Sequence, residues 1–191
     1  MTDPNHYDYV TTYSGRKLNF KNPDPDDILI EDIAHHLSMT CRYSGATKYH
    51  YSVAQHSVVL AIYVYEQTND PMQALSALLH DASEAYIADL PRPVKGSVTG
   101  YKSIENKLMK AILNKFEVDK PSDFVMKADL NVVANEAMNV MKNVPDWIND
   151  YEYLDISIDS FIEAPHEDVK EAFLYVYNKL KNSLRINNEL S

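Results

Sequence analysis

Apolar residues recur at helical spacing along most of the chain. Ile104, Leu108, Ile112 and Phe116 lie four apart, which puts them on one face of a helix over Tyr101–Phe116. Similar stripes predict helices over Val53–Tyr65, Ala74–Tyr86, Phe124–Met141 and Pro165–Leu180. Ile30, Ile33, Ala34 and Leu37 predict a shorter helix after the acidic, proline-containing stretch Asn22–Asp27. Pro165 suits a first helical turn, and Glu167 and Asp168 behind it complement the positive end of the helix dipole. With four glycines in the chain, flexible linkers and repeated tight turns are scarce. The connections are short except at Cys41–Tyr51, Ala88–Gly100 and Val144–Ile158. The last carries Trp147, Tyr151 and Tyr153 and reads as a packed loop, with a lid or a subunit contact as the alternatives. The pattern predicts an all-α helical bundle with no repeat or internal boundary, and 191 residues fit one domain.

Composition narrows the function classes. Hydrophobic residues are 45% and charged residues 24% of the chain, enough apolar content for a sizeable core. No apolar run approaches the roughly 18 residues of a membrane span. The N-terminal sequence MTDPNHYDYVTTYSGRK lacks a basic start, an apolar stretch and a small-residue cleavage site, so the expected location is cytoplasmic. A formal charge of -10 repels DNA and RNA backbones at long range, whereas a few clustered cations still suffice for a small phosphorylated ligand. Cys41 is the single cysteine, which excludes an intramolecular disulfide and a thiolate-rich zinc cluster.

Any metal must therefore sit on His, Asp and Glu. His56, the adjacent His80 and Asp81, and Asp129 fall on three predicted helices and can converge inside a bundle. Two imidazoles and two carboxylates suit Zn, Mn, Co, Ni or Fe(II). Composition and spacing alone leave a satisfied structural His and Asp as the alternative. The His-Asp pair ends the apolar segment ALSALLHD, where an unpaired carboxylate would be costly. Glu84, four residues after His80 on the predicted helix, is placed to act as a general base or else is an ordinary solvated glutamate. Arg42 in TCRYSGATKYHYS and Lys95 in LPRPVKGS are candidate phosphate-binding cations beside the ligand-bearing helices. Tyr43 offers a ring for stacking or for packing.

The series IEDIAHHLS, CRYSG, YSVAQHS, LLHDASEAYIADLPRPVK, KAD and PHEDVKEAF resembles the HD-domain metal-dependent phosphohydrolases. It looks most like the small group of deoxynucleoside 5'-monophosphatases and viral dATP triphosphohydrolases. The resemblance runs over about residues 22–180. It implies an all-α single-domain bundle that assembles as a homo-oligomer, with His56, His80, Asp81 and Asp129 as the metal ligands. It implies Glu84 as catalytic glutamate and Asp89 as a second active-site acid. Arg42 and Lys95 would then bind phosphate, with Tyr43 beside the sugar or base. The divalent ion polarises a phosphate oxygen or activates a water, and a triphosphate substrate can bring a second ion. The expected reaction is hydrolysis of a deoxynucleotide, either dNTP to deoxynucleoside and triphosphate or dNMP to deoxynucleoside and phosphate. The competing readings are an HD-type enzyme for a cyclic nucleotide or guanosine polyphosphate, and a non-catalytic nucleotide-binding module stapled by a metal. No GxxxxGK[ST] loop, Rossmann fingerprint or GxSxG elbow is present.

Overall fold

Ser52, Asp70 and Ser122 fix three of the helix starts by accepting hydrogen bonds from first-turn amides. The computed structural model describes residues 8–189; the start of the N-terminal segment read above, residues 1–7, lies outside them. A small antiparallel hairpin opens the described chain, β1 (Tyr9–Thr11) against β2 (Lys17–Asn19), with Val10 opposite Leu18. Helix α1 spans Ile30–Met39 and α2 Val53–Thr68. Ser52 accepts from the Gln55 amide while the Gln55 side chain accepts from the Ser52 amide, a reciprocal cap at the start of α2. Helix α3 spans Pro71–Leu79, with Asp70 capping it and Pro71 supplying a preformed first turn. Two short helices, α4 (Glu84–Ile87) and α5 (Arg92–Lys95), precede α6 (Tyr101–Phe116), α7 (Asp123–Val140) and α8 (His166–Glu189).

The main core forms where α8 lies across α1, α2 and α3. It is filled by Leu37, Leu60, Leu75, Leu78 and Phe173, all fully buried, and α6 adds Leu108 and Ile112. Helix α2 is enclosed on nearly all sides, since Val53 to Ser57, Val59 to Ala61 and Val64 are all buried. A polar side chain on it, such as His56, must therefore find partners inside the protein. Among the described residues, no helix is long and apolar enough to cross a membrane.

The fold departs from the hydrophobic pattern in four places. The single helix expected over Ala74–Tyr86 is broken by a turn at residues 80–83. The last helix continues past Leu180 to Glu189. The hairpin is absent from the sequence prediction because three-residue strands are too short to show a period of two. The three long connections carry α5 and the 3-10 turns Arg42–Gly45 and Asp146–Asp150.

Candidate metal centre

His56 stands in the first turn of α2, fully buried, and its ring is fixed from behind. Its Nδ1–H donates to Oε1 of Glu136 on α7 across 2.6 Å. Glu136 is itself fully buried and accepts also from Arg42 Nη2 (3.0 Å), from the Tyr51 hydroxyl (3.2 Å) and from the Tyr43 hydroxyl. The neighbouring Arg42 and His56 hold its carboxyl at about 2, against the pull of burial. With its proton engaged at Nδ1, neutral His56 presents a bare Nε2 lone pair to the interior, the tautomer that metal-ligating histidines adopt through an outer carboxylate.

The His80–Asp81 pair lies on the turn that interrupts α3 and α4. Hydrogen bonds from Ala82 N to Leu79 O (3.0 Å) and from Glu84 N to Asp81 O (2.9 Å) tighten this turn to three residues. Adjacent side chains still diverge on such a turn, and the long imidazole reaches across so that His80 Nε2 and Asp81 Oδ2 come within 3.0 Å. His80 Nδ1 bonds to the Ala77 carbonyl at 2.7 Å, so in its neutral form this ring too directs a bare Nε2 inward.

Asp129 comes from the second turn of α7. Its Oδ1 is 3.2 Å from His56 Nε2 and 3.3 Å from His80 Nε2, and the two Nε2 atoms are 3.3 Å apart. Asp81 Oδ2 completes the group at 3.8 Å from His56 Nε2. Ligands about 2.1 Å from one ion stand roughly 3.0 to 3.4 Å from each other. His56, His80 and Asp129 match this spacing directly, and Asp81 Oδ2 lies beside them, nearest to His80. Against the pull of burial, Asp81 and Asp129 raise the pKa of His80 well above its ordinary value, and Glu136 and Asp129 raise that of His56, so in the metal-free fold a proton on Nε2 bridges these groups. A divalent cation can take the place of that proton, and the donor set of two imidazole nitrogens and carboxylate oxygens fits it.

A cavity of about 570 Å³ opens over this group, lined by Asp81 and Asp129 of the candidate ligand set and by Glu84, Asp89, Arg92 and Lys95 beside them. Glu84 does not continue a helix from His80, as the sequence suggested; it begins α4 after the turn and still enters the same cavity. Burial, with Asp81 and Asp89 nearby, pushes its carboxyl up to about 8 although Lys95 pulls the other way. Asp89 is raised for the same reasons, burial first and Asp81 among the charges. The chain reaches Asp89 through Ala88 at φ 64 and ψ 158, a region nearly confined to glycine, and the Ala88 carbonyl is held by the Tyr101 hydroxyl at 2.9 Å.

The two cations singled out in the sequence line this cavity but carry their own partners. Lys95 Nζ lies 3.0 Å from Glu84 and 2.7 Å from Glu105. Arg42 is buried behind the ligands, bonded to Glu136 with Nη1 3.8 Å from Asp81. Tyr43 sits on the cavity wall, its hydroxyl on Glu136 and its backbone at φ 54. Arg92, by contrast, is exposed, lines the cavity and makes no ion pair among the described residues. Trp147 and Tyr151, expected to belong to a packed loop, line it as well.

Over 129 residues, 67% of this chain and 70% of the relative, the sequence is 37% identical to the uncharacterized protein YfdR of Escherichia coli (strain K12). Over 109 residues, 54% of this chain and 55% of the relative, it is 39% identical to an uncharacterized protein of Rhodobacter capsulatus. No family model matches the chain.

Proposed function

The chain belongs to the same family as YfdR, and from the site it carries we propose that it is a metal-dependent phosphohydrolase of the HD type acting on deoxynucleotides. The observation that carries this reading is the meeting of His56 Nε2, His80 Nε2 and Asp129 Oδ1 within 3.3 Å of one another at the floor of a cavity that also holds Glu84, Asp89 and Arg92. Its volume falls in the range of about 300 to 1,000 Å³ usual for small-molecule sites.

When bound, a divalent ion such as Mn, Co, Zn, Ni or Fe(II) supplies Lewis acidity toward a phosphate oxygen and acidifies water. His56, His80, Asp81 and Asp129 hold it, and Glu136 and the Ala77 carbonyl keep the two rings aimed. Arg92 draws the phosphate into the cavity, and Lys95 and Arg42 line the same cavity while holding Glu84, Glu105 and Glu136 in place. A water oxygen forms the new bond to phosphorus while the bond from phosphorus to the 5'-oxygen breaks. Glu84 takes the proton of the attacking water, for which a carboxyl of raised pKa is a stronger base than an ordinary one. Asp89 returns a proton to the departing 5'-oxygen. The products are a deoxynucleoside with orthophosphate, from a monophosphate, or with triphosphate, from a triphosphate.

The test is product analysis with each dNMP and dNTP in the presence of Mn, Co, Zn or Mg, resolving phosphate, pyrophosphate and triphosphate. Orthophosphate from a dNMP or triphosphate from a dNTP, lost in Glu84→Gln, is the expected result. Silence across the whole series would overturn the reading.

A further inference from the structure

The cavity has an aromatic end that the hydrolytic chemistry does not use. Trp147 and Tyr151 lie edge to face, 5.9 Å between ring centroids with an interplanar angle of 88°, and both line the cavity. Trp147 remains 38% exposed, so its ring is not consumed by packing. Aromatic surface of this kind at the mouth of a polar site is suited to a flat ring.

The pair is held rigidly, and by the helix that carries a metal ligand. Ile148, between the two rings in sequence, is buried against Ala134 and Ala137 of α7. Just beyond Tyr151, Asn131 Oδ1 accepts from Glu152 N (3.2 Å), and Asn135 both accepts from Leu154 N and donates to Leu154 O, each at 2.9 Å. Two asparagines one turn apart on α7 thus fasten the backbone that follows the aromatic pair. The anchoring residues Asn131, Ala134, Asn135 and Ala137 lie two to eight positions beyond Asp129, roughly 3 to 12 Å along the axis at the rise of a helix, and the aromatic pair and the Asp129 carboxylate line one cavity.

We propose that Trp147 and Tyr151 form the nucleobase subsite of this cavity, stacking a purine or pyrimidine ring while the phosphate lies at the His56, His80, Asp81 and Asp129 group. This rests on the reading of the site as one for deoxynucleotides, and the experiment separates the two. Trp147 is the only tryptophan of the chain, so its emission reports the subsite directly. The metal-loaded Glu84→Gln protein is titrated with each dNMP, and with 2-deoxyribose 5-phosphate, which has the phosphate and sugar but no base. Saturable change in Trp147 emission with a dNMP, and none with the sugar phosphate, is expected. In equilibrium dialysis, Trp147→Ala should weaken dNMP binding by about 5- to 150-fold, the worth of one stacked base, while Trp147→Phe retains most of it and both leave 2-deoxyribose 5-phosphate within about twofold.

Equal weakening of nucleotide and sugar phosphate by Trp147→Ala would assign the residue to structure alone and overturn the subsite. So would unaltered binding of both. If the wild-type protein hydrolyses 2-deoxyribose 5-phosphate as well as it does every dNMP, the subsite falls while the phosphohydrolase stands. If no phosphoester is cleaved yet Trp147 still responds to base-bearing ligands alone, the subsite stands and the catalytic reading falls.

Discussion

The Nδ1–H of His56 donates to Oε1 of Glu136 over 2.6 Å, and both side chains are fully buried. Glu136 thereby sets which nitrogen of His56 faces the ligand group, and it also neutralises the buried Arg42. Glu136→Gln keeps the volume but turns an amide toward donors that need an acceptor. Metal affinity should fall by about 10- to 100-fold, the usual effect of losing a partner behind a ligating imidazole, and the melting temperature should drop because Arg42 loses its counter-charge. Calorimetric metal titration and thermal melts check both effects.

Removing His80 or Asp81 acts on the ligand group itself. His80→Ala or Asp81→Ala should abolish hydrolysis and stoichiometric metal binding, while far-ultraviolet circular dichroism stays close to wild type, since both residues sit on the turn between α3 and α4. Chelation of the wild-type protein should lower its melting temperature, and restoring metal at about a hundred times its dissociation constant should recover roughly 2.7 kcal/mol. A melting temperature indifferent to chelator would count against a bound ion.

Glu84 gives a pH dependence of definite sign. Burial and the Asp81 and Asp89 charges push its carboxyl from 4.5 to about 8 in the metal-free fold, so folding favours the protonated form. Its contribution to stability is complete below about 4.5 and is lost as pH rises toward about 8. Glu84→Gln should flatten that part of the stability profile of the metal-free protein. In the loaded enzyme the cation offsets Asp81, and the acid limb of the rate profile should lie below pH 8. The same variant should lower kcat by about 10²- to 10⁴-fold, with metal affinity unchanged.

Arg92 is the cation of the cavity without a carboxylate partner among the described residues. Arg92→Ala should raise KM for a nucleotide by about 10-fold and leave kcat within about threefold, the mark of an interaction made equally in ground and transition states. Lys95→Ala should behave differently. It leaves Glu84 and Glu105 without the ammonium they share, and the acid limb of the rate profile should move to higher pH.

The helical class was legible in the apolar spacing, and Tyr101–Phe116 appears with the limits its stripe predicts. The break after Leu79 was not, because neither glycine nor proline marks it and the turn is held by backbone hydrogen bonds around His80. His56, His80, Asp81 and Asp129 were named from residue type and resemblance, and the fold brings the four together. Glu136 escaped notice because a helical glutamate ordinarily faces water. Its signal was present nonetheless: it occupies the stripe of Val125, Val132 and Val140, all fully buried, where a carboxylate needs a partner. The loops of Arg42 and Lys95 suit phosphate cations but cannot reveal that each side chain already faces carboxylates. Trp147 and Tyr151 read as packing because only the fold sets their segment against α7 and the cavity.

One ion held by His56, His80, Asp81 and Asp129 should switch on phosphoester hydrolysis. Titrating the metal-free protein with Mn, while recording both bound metal and the release of phosphate or triphosphate from deoxynucleotides, measures that dependence most directly. No turnover is expected without metal, a rate with at least one deoxynucleotide should rise with occupancy of the site, and neither response should appear in His56→Ala. Full turnover in the chelated protein, or stoichiometric binding with no product from any deoxynucleotide, would contradict that dependence.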